Sequence, residues 1–115
     1  MLLYELNLIS KRNPVINVRG PDLRYTRLRD MNLSGLDLRG ADLSEADLCH
    51  TDLSEAQLRD TNLSDAHLRE ANLRGVVGWT EDQLLAAYSL EGATMPNGQK
   101  YEDWLKDREK RQQDE

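Results

Sequence analysis

The sequence predicts an all-β solenoid, a fold in which short segments wind in stacked coils around one buried axis. Three observations lead to this prediction. Leucine occupies every fifth position from 23 to 73, eleven times without an exception. From position 41 onward, the residue two places before each of these leucines is alanine or threonine. The positions between them are mostly polar or charged, so a unit of five residues repeats along the chain.

The interval of five excludes both regular secondary structures as the source of a single apolar face. On an α-helix, five residues turn the side chain by about 500°, which leaves each leucine about 140° from the last one. On a flat strand, an odd interval sends successive leucines to opposite faces. A chain that turns a corner within each unit avoids both problems because every leucine then points to the same axis. The predicted core is Leu23, Leu28, Leu33, Leu38, Leu43, Leu48, Leu53, Leu58, Leu63, Leu68 and Leu73.

The residues between the leucines fit the same interpretation. In a short extended segment, positions i−2 and i share a face, so the alanines and threonines also point inward. Their small side chains leave space for the leucines where the walls converge. The remaining positions are rich in Asp, Asn, Ser and Gly, which favour turns, so we expect them at solvated corners.

Units such as ADLSE, ADLCH, TDLSE, TNLSD and ANLRG resemble the A(D/N)LXX pattern of the pentapeptide repeat family. The resemblance extends over roughly Pro14 to Gly75. It implies a right-handed quadrilateral β-helix with about twenty residues per coil and about three to four coils, whereas the spacing alone leaves three and four sides open. Leucines one coil apart are then expected to stack in columns. The pattern is broken at Pro21, Arg27, Leu36, Gln57 and His67.

The end of the repeat divides the chain into three predicted parts: an N-terminal cap or imperfect first coil at residues 1–13, the repeat β-helix at 14–78, and a C-terminal cap at 79–115. The last part is expected to hold two short helices and a charged tail, with Thr80 as the N-cap of the first helix. Leu90 and Met95 return to the five-residue phase, so one wall is expected to resume after this helix. Leu84, Leu85 and Tyr88 are expected to be available for packing, and the side chains expected to cover the last coil are Tyr101, Trp104 and Leu105.

Composition favours a cytoplasmic protein, and the family resemblance implies one of bacterial type. The net charge of −6 argues against direct binding to nucleic acid or to an anionic membrane, because both demand a basic surface. The start, MLLYELNLIS, has Glu5 and no basic leader, so it is a poor secretion signal. The single cysteine, Cys49, fits a reducing compartment because it has no partner for an internal disulfide.

One group of residues invites an enzymatic interpretation because all of its members fall on one predicted wall: Asp47, Cys49, His50, His67 and Glu70. A register of twenty pairs Asp47 with His67 and His50 with Glu70, and it leaves Cys49 beside Arg69. The two histidines are then roughly 10 Å apart, which is too far for both to bind one zinc ion. We therefore predict no catalytic, cofactor-binding or metal-binding residues, and we expect that the protein is not an enzyme.

A column of arginines is the candidate interaction surface: Arg19, Arg39 and Arg59. Adjacent like charges destabilise a sheet unless something compensates for them. Either a partner or an anion binds these side chains, or nearby carboxylates such as Asp37 and Asp60 neutralise them. The function predicted on this basis is a non-catalytic protein-interaction or scaffold module with an unidentified protein partner. Dimerisation through an end of the solenoid is an additional expectation.

The family resemblance also implies an alternative function, because quinolone-resistance members resemble B-form DNA and protect or inhibit DNA gyrase. Residues 14–75 hold eleven acidic residues and eight arginines, a net charge of −3. Three coils span about 15 Å, a length over which duplex DNA carries about nine negative charges. The low charge density favours the interaction module over the gyrase protector.

Overall fold

The computed structural model describes residues 20–113. The predicted cap or imperfect first coil at residues 1–13 lies outside the described residues, and so does Arg19. In the described part, each five-residue unit contributes a short extended segment rather than a long strand. Parallel bridges join each segment to its counterpart in the next coil.

The coils stack with a register of twenty residues throughout the repeat. The bridge between Asp22 and Asp42 is the first of this series, and the bridge between Gln57 and Val77 is the last. Backbone hydrogen bonds follow the same register: the Leu43 N–H donates to Asn62 O at 2.8 Å, and the Asn62 N–H donates to Ala41 O at 2.9 Å. The bridged residues define four walls: A at 22, 42 and 62; B at 27, 47 and 67; C at 32, 52 and 72; D at 37, 57 and 77.

Tight turns form the corners between walls. In a typical corner, the Ala46 N–H donates to Leu43 O at 3.0 Å, and the third turn residue, Glu45, has a φ of 61°. A positive φ at this position alone is the pattern of a type II turn. The corner residues with positive φ recur every five positions: Gly20, Tyr25, Asp30, Gly35, Gly40, Glu45, His50, Glu55, Asp60, Asp65, Glu70 and Gly75. Most corners thus hold a side chain in a conformation that favours glycine.

The corner at residue 40 offers a test of this backbone preference. A Cβ atom built on Gly40 has 3.7 Å to its nearest neighbour, Gly20 N, so space is sufficient and only the φ of 73° opposes a side chain. We expect Gly40→Ala to lower the free energy of unfolding by about 1 kcal/mol. The reciprocal change in the same column, Asp60→Gly, is expected to be neutral or stabilising in the same urea titration. Equal losses in both variants would contradict this account.

An aspartate or asparagine precedes eight of the eleven leucines, and its side chain stabilises the turn that follows. Its Oδ1 atom accepts a hydrogen bond from the backbone N–H two residues later, as in the 3.0 Å bond from Ser44 N to Asp42 Oδ1. This bond stabilises the turn out of the wall. It recurs at Asp22, Asn32, Asp37, Asp42, Asp47, Asp52, Asn62 and Asn72.

The leucines and small residues form one buried core. All eleven leucines are at most 2% exposed, and the inward-facing alanines from Ala41 to Ala71 are also buried. Two inward threonines bond to the preceding coil: Thr51 Oγ1 donates to Leu28 O at 2.7 Å, and Thr61 Oγ1 donates to Leu38 O at 2.6 Å. These bonds satisfy the only polar side chains among the buried described residues.

Removing one of these hydroxyl groups without changing the shape of the side chain tests its contribution. We expect Thr51→Val to lower the free energy of unfolding by about 1 kcal/mol, because a buried hydrogen bond between coils is lost. The control is Thr26→Val, since Thr26 Oγ1 bonds within its own turn, to Leu23 O, and is only partly buried. Chemical denaturation of both variants gives the difference. A stabilised Thr51→Val variant would show that the hydroxyl contributes nothing.

The register changes after the repeat ends. Helix α1, Glu81–Leu85, separates the repeat from two further bridges, His67 with Ser89 and Asn72 with Thr94, both of which join residues twenty-two apart. The chain therefore resumes two walls, B and C, whereas the sequence predicted one. Leu90 and Met95 take the inward positions and are buried. Helix α2, Tyr101–Gln113, follows.

Gly78 ends wall D. It occupies the position at which the next leucine would fall, and its φ of 77° turns the chain away from the wall. A Cβ atom at this position would lie 2.9 Å from Arg59 Cβ, so a larger residue does not fit without movement. The only large apolar residue of this turn to enter the core cluster is Val76, while Val77 points outward.

Helix α1 begins with a capping box. Thr80 is its N-cap, as predicted: Thr80 Oγ1 accepts from Gln83 N, and Gln83 Oε1 accepts from Thr80 N, each at 3.1 Å. The Gln83 Nε2 group also donates to Leu58 O at 2.6 Å and to Thr61 O at 2.8 Å. Leu84 and Trp104 belong to the same buried cluster as the repeat leucines. Neither helix within residues 20–113 has the length and apolar character needed to cross a bilayer.

Candidate interaction surfaces

The five residues that invited an enzymatic interpretation lie on or beside wall B, and backbone hydrogen bonds between coils fix their positions in the twenty-residue register. Asp47 and His67 are bridged, and the His50 N–H donates to Arg69 O at 2.9 Å. His50 is exposed, but His67 is half-buried and packs against Tyr88 with 4.7 Å between ring centroids. Within residues 20–113, no group of three or more His, Cys, Asp or Glu side chains is placed to hold a metal ion.

Cys49 is buried, with 6% of its surface exposed. Burial raises the pKa of its thiol, and the neighbouring Asp47 carboxylate raises it further. Burial also acts to raise the pKa of Asp47, but hydrogen bonds from Cys49 and the charge of Arg29 leave that pKa below its usual value. The thiolate is the reactive form of cysteine, so this environment suppresses nucleophilic chemistry.

The reactivity of Cys49 is measurable. We expect the folded protein to react with iodoacetamide at pH 8 about tenfold or more slowly than free glutathione, because burial and a raised pKa both reduce the accessible thiolate. Unfolding in guanidinium chloride should restore the rate of a free thiol. A folded-state rate equal to that of glutathione would contradict the burial and the direction of the pKa shift.

Arg39 and Arg59 lie in one column, but their side chains differ in pairing and exposure. Gly40 N donates to Arg59 O at 3.0 Å, which places residues 39 and 59 one above the other in adjacent coils. Arg39 makes a two-point ion pair with Asp37: its Nε–Oδ1 and Nη2–Oδ2 distances are both 2.8 Å. This pairing raises the pKa of Arg39, and the Asp37 carboxylate compensates for its positive charge. Compensation by a nearby carboxylate was one of the two explanations offered for the column. Arg59 is exposed at the corner below Gly78.

Other surface acids are paired in the same way. Arg24 bonds to both carboxylate oxygens of Asp22, and these hydrogen bonds lower the pKa of Asp22 to about 2. Arg29 pairs with Asp47 at 3.2 Å. Several carboxylates of the repeat therefore lie beside a guanidinium group rather than on an uninterrupted acidic surface.

Exposed apolar side chains mark other parts of the walls. Leu84 is fully buried, but Leu85 and Tyr88, which were expected to be available for packing, are 36% and 70% exposed. The reason is the length of α1, which has five residues and directs only Leu84 into the core. Tyr25 on wall A and Val77 on wall D are also exposed, at 67% and 57%. In the sequence, the only signal for Val77 is a valine at an outward position that is otherwise polar.

Two grooves adjoin the C-terminal segments. The first has a volume of about 360 Å³ and contains Leu85 and Tyr88; we call it the Tyr88 groove. Its lining is Leu85, Ala87, Tyr88, Ser89, Leu90, Glu91, Tyr101 and Glu102. The second, of about 530 Å³, lies between Trp79 and α2. Its polar lining is occupied in part by internal bonds, including the 2.8 Å bond from Gln99 Nε2 to Asp107 Oδ2.

The repeat units match the family model for pentapeptide repeats in eight copies, over residues 16–48 and 41–77. The chain belongs to the pentapeptide repeat family. Pentapeptide repeat proteins fold as right-handed quadrilateral β-helices, so the family match and the four walls confirm this part of the predicted fold. No curated protein sequence matches the chain.

Solved pentapeptide repeat proteins resemble the structure. One is HetL, involved in heterocyst differentiation regulation in the cyanobacterium Nostoc sp. strain PCC 7120, with 30% identity and a TM-score of 0.50. The match covers 73% of this chain and 48% of HetL, so the chain spans about half the length of HetL. Another comes from the thylakoid lumen of Arabidopsis thaliana, with 26% identity, a TM-score of 0.35, and coverage of 69% and 61% of the two chains.

Proposed function

We propose that this pentapeptide repeat protein is a non-catalytic interaction module that binds another protein through a wall of its β-helix. The observation that carries the proposal is the exposure of large apolar side chains on a rigid hydrogen-bonded scaffold: Tyr25, Val77, Leu85 and Tyr88. Residues on adjacent coils are fixed by backbone bonds, so these side chains lose little freedom when a partner covers them. HetL, a family member involved in regulation, supports a regulatory setting for such binding.

We also infer that residues 79–113 cap the β-helix. Gln83 bonds to the Leu58 and Thr61 carbonyls at the end of the repeat, and Leu84 and Trp104 join the core beside the last coils. Terminal caps with a polar outer face keep solenoids soluble, because an uncovered coil exposes both apolar surface and open backbone groups. Such a cap leaves the walls of the repeat open, and its own exposed Leu85 and Tyr88 add apolar surface beside wall B.

Photo-cross-linking tests the proposed function. A photoreactive phenylalanine analogue placed in turn at positions 25, 77, 85 and 88 should yield one discrete cross-linked protein in a lysate of the native host, from at least one site. Excess unlabelled protein should abolish the product by competition. The matched control places the same analogue at position 64, where Ser64 is also exposed but polar. The absence of a competed product at all four sites would contradict the proposal.

The gyrase-protector alternative has less support from the surface. Arg24, Arg29 and Arg39 each pair with an aspartate of the repeat, so the walls lack the dense negative charge of a duplex. We expect that the protein leaves DNA gyrase supercoiling unchanged. Inhibition or quinolone protection at stoichiometric protein would favour the alternative.

A further inference from the structure

The Tyr88 groove combines apolar surface with a rim of carboxylates. Tyr88 stands at its edge with 70% of its surface exposed, fixed from one side by His67 and held by a 2.9 Å bond from its N–H to Ala66 O. Leu85 lines the same groove and is also exposed. The aromatic ring and the leucine therefore contribute exposed apolar surface to a cleft whose backbone is joined to wall B.

Acidic residues lie in this cleft and in the coil next to it. Asp65 N donates to Ala86 O, next to Leu85, and Glu70 N donates to Glu91 O, both at 2.9 Å. Glu91 and Glu102 line the cleft itself. The Glu102 carboxylate accepts the Gly92 N–H at 3.0 Å, and this bond lowers its pKa, so the group is charged at neutral pH.

Fewer cations lie at the same place. Lys100 Nζ is bonded to Gly92 O at 3.1 Å. The Glu91 and Glu102 side chains line the groove, and the Glu70 carboxylate lies beside Gly92, so carboxylates outnumber Lys100 at this part of the described surface. The excess of negative charge around an apolar cleft distinguishes this surface from wall D, where Val77 is exposed but Arg39 and Arg59 lie beneath it.

We propose that the Tyr88 groove docks a segment of a partner protein that carries an aliphatic side chain flanked by lysine or arginine. This inference rests on the proposed function and names the chemistry of the partner. The aliphatic group fills the cleft between Tyr88 and Leu85, where its burial removes apolar area of both partners from water. The cations pair with Glu91 and Glu70, and a guanidinium group also stacks on the exposed face of Tyr88.

A pair of synthetic peptides tests the chemistry. The probe is a fluorescein-labelled twelve-residue peptide with central leucines and flanking arginines, and the control replaces each arginine with glutamate. Fluorescence anisotropy with the full chain should show saturable binding of the arginine peptide and none of the glutamate peptide. Raising the salt concentration should weaken the binding of the arginine peptide, because screening reduces the attraction between exposed charges.

Matched variants locate the binding surface. Tyr88→Ala removes an aromatic anchor, and Glu91→Lys reverses a charge at the rim of the groove. Each variant should lower the affinity for the arginine peptide about tenfold or more. Asp30→Lys and Glu55→Lys make the same charge reversal at exposed corners that do not line the groove, and they should leave binding unchanged. Leu85→Ser provides a second test within the groove if Tyr88→Ala unfolds. Equal effects on both sets, equal binding of both peptides, or no binding of the arginine peptide would overturn the inference.

The cross-linking results separate this inference from the proposed function. A competed product from position 88 or 85, lost in Glu91→Lys, supports both. A competed product from position 77 or 25 alone preserves the proposed function and overturns the Tyr88 groove as the docking site. No product at any position contradicts the proposed function itself.

Discussion

Leu53→Arg is expected to abolish the cooperative folding of the middle coils. Leu53 is fully buried between Leu33 and Leu73 in the column of wall C. Truncating such a leucine typically costs about 2 to 5 kcal/mol, and an arginine adds the cost of a charge in a dry interior with no carboxylate to pair it. The total approaches or exceeds the stability of an ordinary small domain, which is about 5 to 15 kcal/mol.

Circular dichroism and urea denaturation measure the effect, with two further variants to interpret it. Leu53→Met keeps the volume and should cost less than about 1.5 kcal/mol. Glu55→Lys adds a positive charge at the exposed corner two residues away and should leave the midpoint nearly unchanged. Cooperative unfolding of Leu53→Arg at the wild-type midpoint would refute the assignment of Leu53 to the buried column.

Gln83→Glu is expected to destabilise the junction between the repeat and α1. Gln83 Nε2 donates to two carbonyl oxygens, Leu58 O and Thr61 O. A glutamate has the same shape but no donor, so the change leaves both carbonyls without this bond and directs a carboxylate at them. We expect a loss of about 2 to 3 kcal/mol, in the range for an unsatisfied and partly buried polar group.

The unfolding midpoint of Gln83→Glu should be compared with that of Gln112→Glu. Gln112 is exposed near the end of α2, so the same chemical change there should have little effect. Gln83→Leu separates the two contributions, because it removes the donor without adding charge, and it should fall between the wild type and Gln83→Glu. A Gln83→Glu variant as stable as Gln112→Glu would show that these bonds do not hold the junction.

The leucine positions were predictable because one physical requirement, a common buried axis, fixes them. Leu23 and Leu73 belong to the same repeat although they are ten units apart, and both are fully buried. The four-walled register was predictable only through the family resemblance, because a three-sided coil accommodates the same spacing. The bridge between Asp42 and Asn62 decides the number of sides.

The details at the end of the repeat depend on contacts that spacing does not encode. The sequence predicts a helix after Thr80, but the two-residue register change at Ser89 follows from how many residues α1 needs to cross from wall D to wall B. The exposure of Tyr88 has the same origin. Likewise, the sequence shows Asp37 near the arginine column but not that both of its carboxylate oxygens bind Arg39.

Hydrogen-bond scalar couplings measured by NMR test the central claim, that four five-residue segments complete each coil around the leucine axis. Such couplings are detected at the carbonyl carbon and report which carbonyl oxygen accepts the hydrogen bond from each N–H group. We predict a coupling from the Leu43 N–H to the Asn62 carbonyl and from the Leu53 N–H to the Asn72 carbonyl. Couplings from Leu43 to Gln57, as in a three-sided coil, or helical couplings four residues apart would contradict the account.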